Sequence, residues 1–130
     1  MIAGKSRKGV MHMVETENKY VTVVSVESNL NDIPLGEKVF VRHEQGNSFD
    51  PYALKVFVAR TGQDIGYVSR SPHTMVKGSV PNHEIISYIL SPEVPLVGKV
   101  VRKTNVNFRN GDISPALVLE VQVISTQKAV

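Results

Sequence analysis

The chain has no cysteine and no tryptophan. Without thiols, neither a disulfide framework nor a thiolate metal site can form, and a cytoplasmic setting fits. No apolar run approaches the roughly 18 to 20 residues that a membrane-spanning helix needs. The opening residues, from Met1 to Lys8, carry the positive charges of a secretory signal, but no apolar stretch follows them, so export by that route is not expected. Charge of one sign is scarce as well. The net charge is +3, with cations spread from Lys5, Arg7 and Lys8 to Arg102, Lys103 and Arg109. Such a chain does not coat duplex DNA electrostatically; if it binds DNA, a few placed groups must do it, with modest salt sensitivity. Catalytic spacings are also missing. His12, His43, His73 and His83 form no HExxH pair, and there is no CxxC, GxSxG elbow, GxxxxGK[ST] loop or GxGxxG fingerprint. The sequence therefore predicts no enzyme, no metal site and no cofactor.

What is present is a single-domain length of 130 residues with a 42% apolar and 21% charged composition, ordinary for a globular domain. Residues 1–18 lack strand or helix periodicity and read as a flexible basic leader. Tyr20 to Glu27 is a β-branched run of strand length, and Asn29 to Pro34 is turn chemistry. Lys38 to His43 alternates apolar and polar residues, as a half-buried strand does. Ala53 to Arg60 reads as a strand with Leu54, Val56 and Val58 on one face, and a short connection through Gly62 leads to its hairpin partner, Ile65 to Ser69. Ser71-Pro72 is the start of a short helix over His73 to Lys77, Ser as N-cap and Pro at the first turn. Pro81 to Leu90 has helical spacing at Ile85, Ile86, Ile89 and Leu90 and is stopped by Ser91-Pro92. Leu96 to Thr104 and Ala116 to Ile124 read as the last strands, joined by a long loop that contains Asn110-Gly111. Many short strands, one or two short helices and Gly/Pro turns predict a mainly β chain. The expected architecture is a small antiparallel β-barrel over residues 19–126, of the OB or SH3-like kind, with a tail at 127–130.

The densest signal runs from Val39 to Arg70, about a quarter of the chain: VFVRHEQGNSFDPYALKVFVARTGQDIGYVSR. Its order of Arg42, Glu44, Asn47, Phe49, Asp50, Ala53, Val56, Gly62, Ile65, Gly66, Tyr67 and Arg70 resembles the HIRAN domain family. The resemblance implies a β-barrel that holds the free 3′ end of single-stranded DNA in DNA processing, beside a helicase or nuclease. No such domain lies in this chain, so any helicase or nuclease would be a separate partner. The resemblance also implies roles. Asp50 accepts a hydrogen bond from the 3′ hydroxyl and repels a 3′ phosphate, Phe49 stacks on sugar or base without a phenol's hydrogen bond, Arg70 pairs with phosphate, and Tyr67 lies near the terminal nucleotide. Asn47 belongs to the same turn. Tyr52 stands where the family has a second asparagine and offers another stacking surface or fills the barrel mouth.

The same residues have plain structural readings. Asn47, Ser48 and Asp50 suit an Asx-type turn, Tyr67 a core-edge aromatic, and Arg70 a solvated strand end. Arg42 suits a pairing with Glu44 or Asp50. Arg42, His43, Glu44 and Asp50 can be drawn as an acid/base cluster, but strand alternation keeps His43 and Glu44 apart. If the run from Val23 to Val26 is the family's first strand, Glu27, Ser28 and Asn29 replace its cation and stacking rings, and a carboxylate near phosphate opposes binding. Phe108 and Arg109, in the late loop, compensate as an aromatic-plus-cation contact. The expected function is a non-catalytic module for single-stranded DNA ends. The rival is a protein-interaction barrel that has lost the end pocket. DNA versus RNA and the oligomeric state stay open.

Overall fold

The computed structural model describes residues 15–24 and 32–124. Six strands, β1 (Thr16–Val24), β2 (Lys38–His43), β3 (Leu54–Val58), β4 (Asp64–Val68), β5 (Leu96–Asn107) and β6 (Ile113–Ile124), carry the chain. All pairings are antiparallel, in the order β1-β4-β3-β2-β5-β6, and β6 returns to β1, so the sheet closes on itself. Among the described residues no helix is long and apolar enough to cross a membrane.

Alternation explains the core. β3 buries Leu54, Val56 and Val58 and turns Lys55 and Phe57 outward, as its period of two dictates. Val39 and Val41 of β2 and Leu117, Leu119, Val121 and Val123 of β6 complete the interior with Val21, Val23 and Val100. These β-branched side chains suit a pleated surface packed on one face. At one point β4 breaks step: Val56 pairs with Gly66 but Phe57 with Asp64. The extra residue lets adjacent Ile65 and Gly66 both be buried, and Gly66 sits at φ 143°, a backbone state that favours glycine. Gly98 has a different reason. A Cβ there would lie 2.8 Å from the Glu120 carbonyl oxygen on the neighbouring strand.

Between β4 and β5 the chain packs back over the ring. A 3-10 turn spans Pro72–Thr74 and a short α1 spans Asn82–Ile85, followed by a 3-10 turn at Ile86–Tyr88. Ile85 and Tyr88 join the core. The segment also covers the outer face of β1: Val76 N–H donates to Thr22 Oγ1 at 2.9 Å, and Thr22 and Ser79 hydroxyls are 2.8 Å apart. Thr22 is thereby buried although it points away from the core.

Several expectations need correction. The first strand begins earlier than expected, because Thr16, Glu17 and Asn18 pair with Ile124, Val123 and Gln122; the rest of the expected leader, residues 1–14, and the expected tail, 127–130, lie outside the described residues. Backbone pairing, which periodicity does not reveal, orders residues 16–18. The first helix exists with its Ser71 cap and Pro72, but it is 3-10 and stops at Thr74. The second is broken into two short pieces and Ile89 is already extended; Leu90 is exposed. The long loop before β6 is a tight turn between two twelve-residue strands, with Phe108 N–H on the Asp112 carbonyl and Gly111 at φ 91°. At about 3.4 Å per residue such strands outreach β3 and β4, so the turn overhangs one end of the ring.

Candidate functional site

The loop between β2 and β3 is shaped by its own side chains. Asn47 Oδ1 accepts from the N–H groups of Phe49 (2.8 Å) and Asp50 (2.9 Å), and Asp50 Oδ1 accepts from Tyr52 N–H at 2.9 Å. These are the Asx-type bonds that short polar side chains make. His43 Nε2 lies 2.8 Å from the Pro51 carbonyl oxygen and braces the loop from β2. Folded this way, the loop pushes the Phe49 ring outward, where it is 89% exposed. It keeps the Asp50 carboxylate, 16% exposed, underneath.

A second anchor reaches Asp50 from far along the chain. Asn82, almost fully buried at the start of α1, donates from Nδ2 to Asp50 Oδ2 (2.8 Å) and to the Tyr52 carbonyl (3.0 Å). Arg70 approaches the same carboxylate at 3.9 Å and donates to the Phe49 carbonyl at 3.4 Å. A carboxylate has about four acceptor positions, so Asp50 is held but not saturated.

Beside this loop lies a polar network on the outer faces of β3 and β4. Glu44 accepts from Asn47 Nδ2 (2.8 Å) and from the Tyr67 hydroxyl (2.9 Å), and Lys55 stands 3.4 Å away. Lys55 pairs more closely with Asp64, at 2.7 Å, and lies over the Tyr67 ring. The Asn47 amide holds the Glu44 carboxyl below its usual range, with help from Tyr67 and Lys55 and against desolvation. The bond to Glu44 raises the Tyr67 phenol, and Asp64 raises the Lys55 ammonium. The network ties the Asn47 turn to β4. It also commits the Tyr67 O–H to Glu44, so that donor is not available to a ligand.

Above these groups opens a cleft of about 650 Å³ at one end of the ring. Its walls come from the end of β1 (Val24), the β2–β3 loop (Asn47, Phe49, Asp50, Ala53), the end of β4 (Tyr67, Val68), the segment after it (Arg70, Ser71, His73, Thr74), and the overhanging β5–β6 turn (Phe108, Arg109). Arg109 Nη2 sits 2.8 Å from His73 Nε2 and bridges the two rims. A guanidinium only donates, so the imidazole nitrogen is the acceptor there. Tyr67 and Arg70 share the cleft because β4 ends at Val68 and Ser69, buried, bends the chain, its N–H on the Thr22 carbonyl and its hydroxyl 2.7 Å from that of Thr74.

Of the residues singled out from sequence, Asn47, Phe49, Asp50, Tyr67, Arg70, Phe108 and Arg109 line this one cleft, and Tyr52 does not. Tyr52 is half exposed, and its carbonyl serves Asn82. Arg42 pairs with neither suggested carboxylate in the described contacts; its guanidinium lies over the Phe57 ring. His43 and Glu44 go to different partners, Pro51 and the Asn47–Tyr67 pair. Glu27, Ser28 and Asn29 lie outside the described residues. Sequence reasoning missed Asn82 and His73 as parts of the site. Pro81-Asn82 carries an ordinary helix-start signal, and nothing local to it points to a residue thirty-two positions earlier. Among the described residues no group of three or more His, Asp or Glu is placed to hold a metal ion. No protein-family model, no curated protein and no solved structure matches the chain.

Proposed function

We propose that the chain is a small OB/SH3-like β-barrel of the HIRAN type that binds single-stranded DNA at its free 3′-hydroxyl end, without chemistry of its own. One observation carries the reading: the 89% exposed Phe49 ring, the Asp50 carboxylate and the Arg70 guanidinium, 3.9 Å from it, meet at one cleft. The exposed phenyl ring is open to stacking on a base or sugar. The volume falls in the roughly 300–1,000 Å³ range of ligand clefts. Arg70 takes phosphate, its planar fork matching the oxygens. Asp50, held by Asn82 and Tyr52 N–H, keeps acceptor capacity for a hydroxyl and repels a terminal phosphate. Phe108 and Arg109 supply a second ring and cation from the opposite wall. The closed ring of pairings supports the barrel assignment. A separate helicase or nuclease would supply the chemistry.

The test is a fluorescence-anisotropy titration of a single-stranded oligonucleotide bearing a 3′ hydroxyl or a 3′ phosphate, at two salt concentrations. Preference for the free hydroxyl is expected. Equal binding erased by salt would reduce the interaction to charge attraction. Absence of binding would leave the protein-contact module as the reading.

A further inference from the structure

A strand whose last nucleotide fills the cleft must leave it, and the described surface offers a charged exit beside Arg70. Arg70, 64% exposed, lines the cleft on one side and a second groove of about 440 Å³ on the other. That groove follows the segment between the first 3-10 turn and α1. Its floor is apolar, with Pro72, Met75 and Pro81, and its edges carry Lys77 and His83, both exposed. No carboxylate lines it. Two further grooves on the described surface lack this character. One sets Glu120 against Lys38 and Lys99, and the other has no charged lining residue.

We propose that the groove from Arg70 to Lys77 is a second subsite, which takes the nucleotides preceding the 3′ terminal one. This rests on the strand-end reading of the cleft and names where the rest of the strand runs. Arg70 would then contact phosphate at the junction, and Lys77 a phosphate further along. The faces of Pro72, Met75 and Pro81 accept bases without reading their edges, so the subsite is indifferent to sequence. Polarisable and apolar surfaces suit the π-face that every base presents. Backbone bonds hold the groove in shape: Ser79 N–H donates to the Val76 carbonyl, and Val80 N–H to that of Tyr20.

The test compares a 3′-hydroxyl dinucleotide with a 3′-hydroxyl ten-mer, on the native protein and on Lys77→Ala and Lys77→Glu variants, with the 3′-phosphate form of each length run on the native protein. Lys77 is exposed, so neither variant should disturb the fold. The expected result has three parts. The native protein binds the ten-mer more tightly than the dinucleotide; Lys77→Ala weakens the ten-mer several-fold and Lys77→Glu weakens it further; both leave the dinucleotide unchanged. The slope of log affinity against log salt for the ten-mer should shrink by about 0.7 in Lys77→Ala, one phosphate's share on a single strand. Unchanged ten-mer binding by both variants, or equal native affinity for the two lengths, would overturn the second subsite while leaving the cleft intact. A native protein that shows no preference for a 3′ hydroxyl over a 3′ phosphate at either length would instead remove the strand-end reading, and the exit groove with it.

Discussion

The two ends of the closed sheet share β1 and differ in what they expose. At one end, where β1 and β4 finish and the β5–β6 turn overhangs, the cleft gathers Asp50, Arg70 and Arg109 around the Phe49 and Phe108 rings. At the other, where β1 and β5 begin and β6 finishes, a groove of about 370 Å³ is lined by Tyr88, Leu90, Val94, Leu96, Val97 and Ile124 among others, with no charged residue. Leu90 and Val94 there are 72% and 60% exposed. A polyanion gains Coulomb energy only at the first end. The fold alone does not distinguish the two. The Asx-type loop and the guanidinium groups do, which is why function is argued from the site and not from the architecture.

The comparison can be broken by substitution. The largest effect is expected from Phe49→Ala, which should cost roughly 1–3 kcal/mol of single-strand binding if the ring stacks on the terminal nucleotide. Its melting temperature should not change, because the ring is 89% exposed. Binding titrations and thermal melts on the same sample separate the two quantities. Asn82→Ala should lower folding stability by about 1–3 kcal/mol, measured by urea denaturation, since it strips a buried donor from Asp50 and the Tyr52 carbonyl. It should also blunt selection for the 3′ hydroxyl by loosening Asp50. Asp50→Asn should bring the affinities for hydroxyl and phosphate ends together, chiefly by improving the phosphate end, as competition titrations would show.

Acid should loosen the charged end before the apolar one. Glu44 has its pKa depressed in the folded protein, first by the Asn47 amide. The stabilisation it brings is therefore present above the unfolded value, about 4.3, and is lost as pH falls through the lower folded value. Melting curves from pH 7 downward should show that loss, and Glu44→Gln should flatten it. The smallest effect is expected at the other end. Leu90→Ser with Val94→Ser should leave oligonucleotide binding as it was and move stability by no more than about 0.5 kcal/mol for each exposed position.

Much of this architecture is legible in the sequence where periodicity is local. The inward face of Leu54, Val56 and Val58 follows from alternation, and the Ser71-Pro72 cap from its own two residues. The candidate residues in the β2–β3 loop were also visible, as a cluster of turn formers carrying an aromatic ring. What sequence does not show are contacts made across the ring. Asn82 reaching Asp50, Arg109 meeting His73, and Tyr67 bonding Glu44 each depend on elements brought together by closure. The tightness of the β5–β6 turn is hidden for a related reason. Exposed Arg102, Lys103 and Asn105 weaken the alternation that marks a strand, although backbone pairing carries the ladder through them to Asn107.

The most direct test of the claim that the charged end is the strand-end site is a nitrogen-15 NMR titration with an unlabelled 3′-hydroxyl dinucleotide. Backbone amide shifts should move at Asn47, Phe49, Asp50, Arg70, Phe108 and Arg109 and stay still at Leu90, Val94 and Val97. Shifts confined to the apolar end, or none at concentrations that saturate a weak site, would contradict the account.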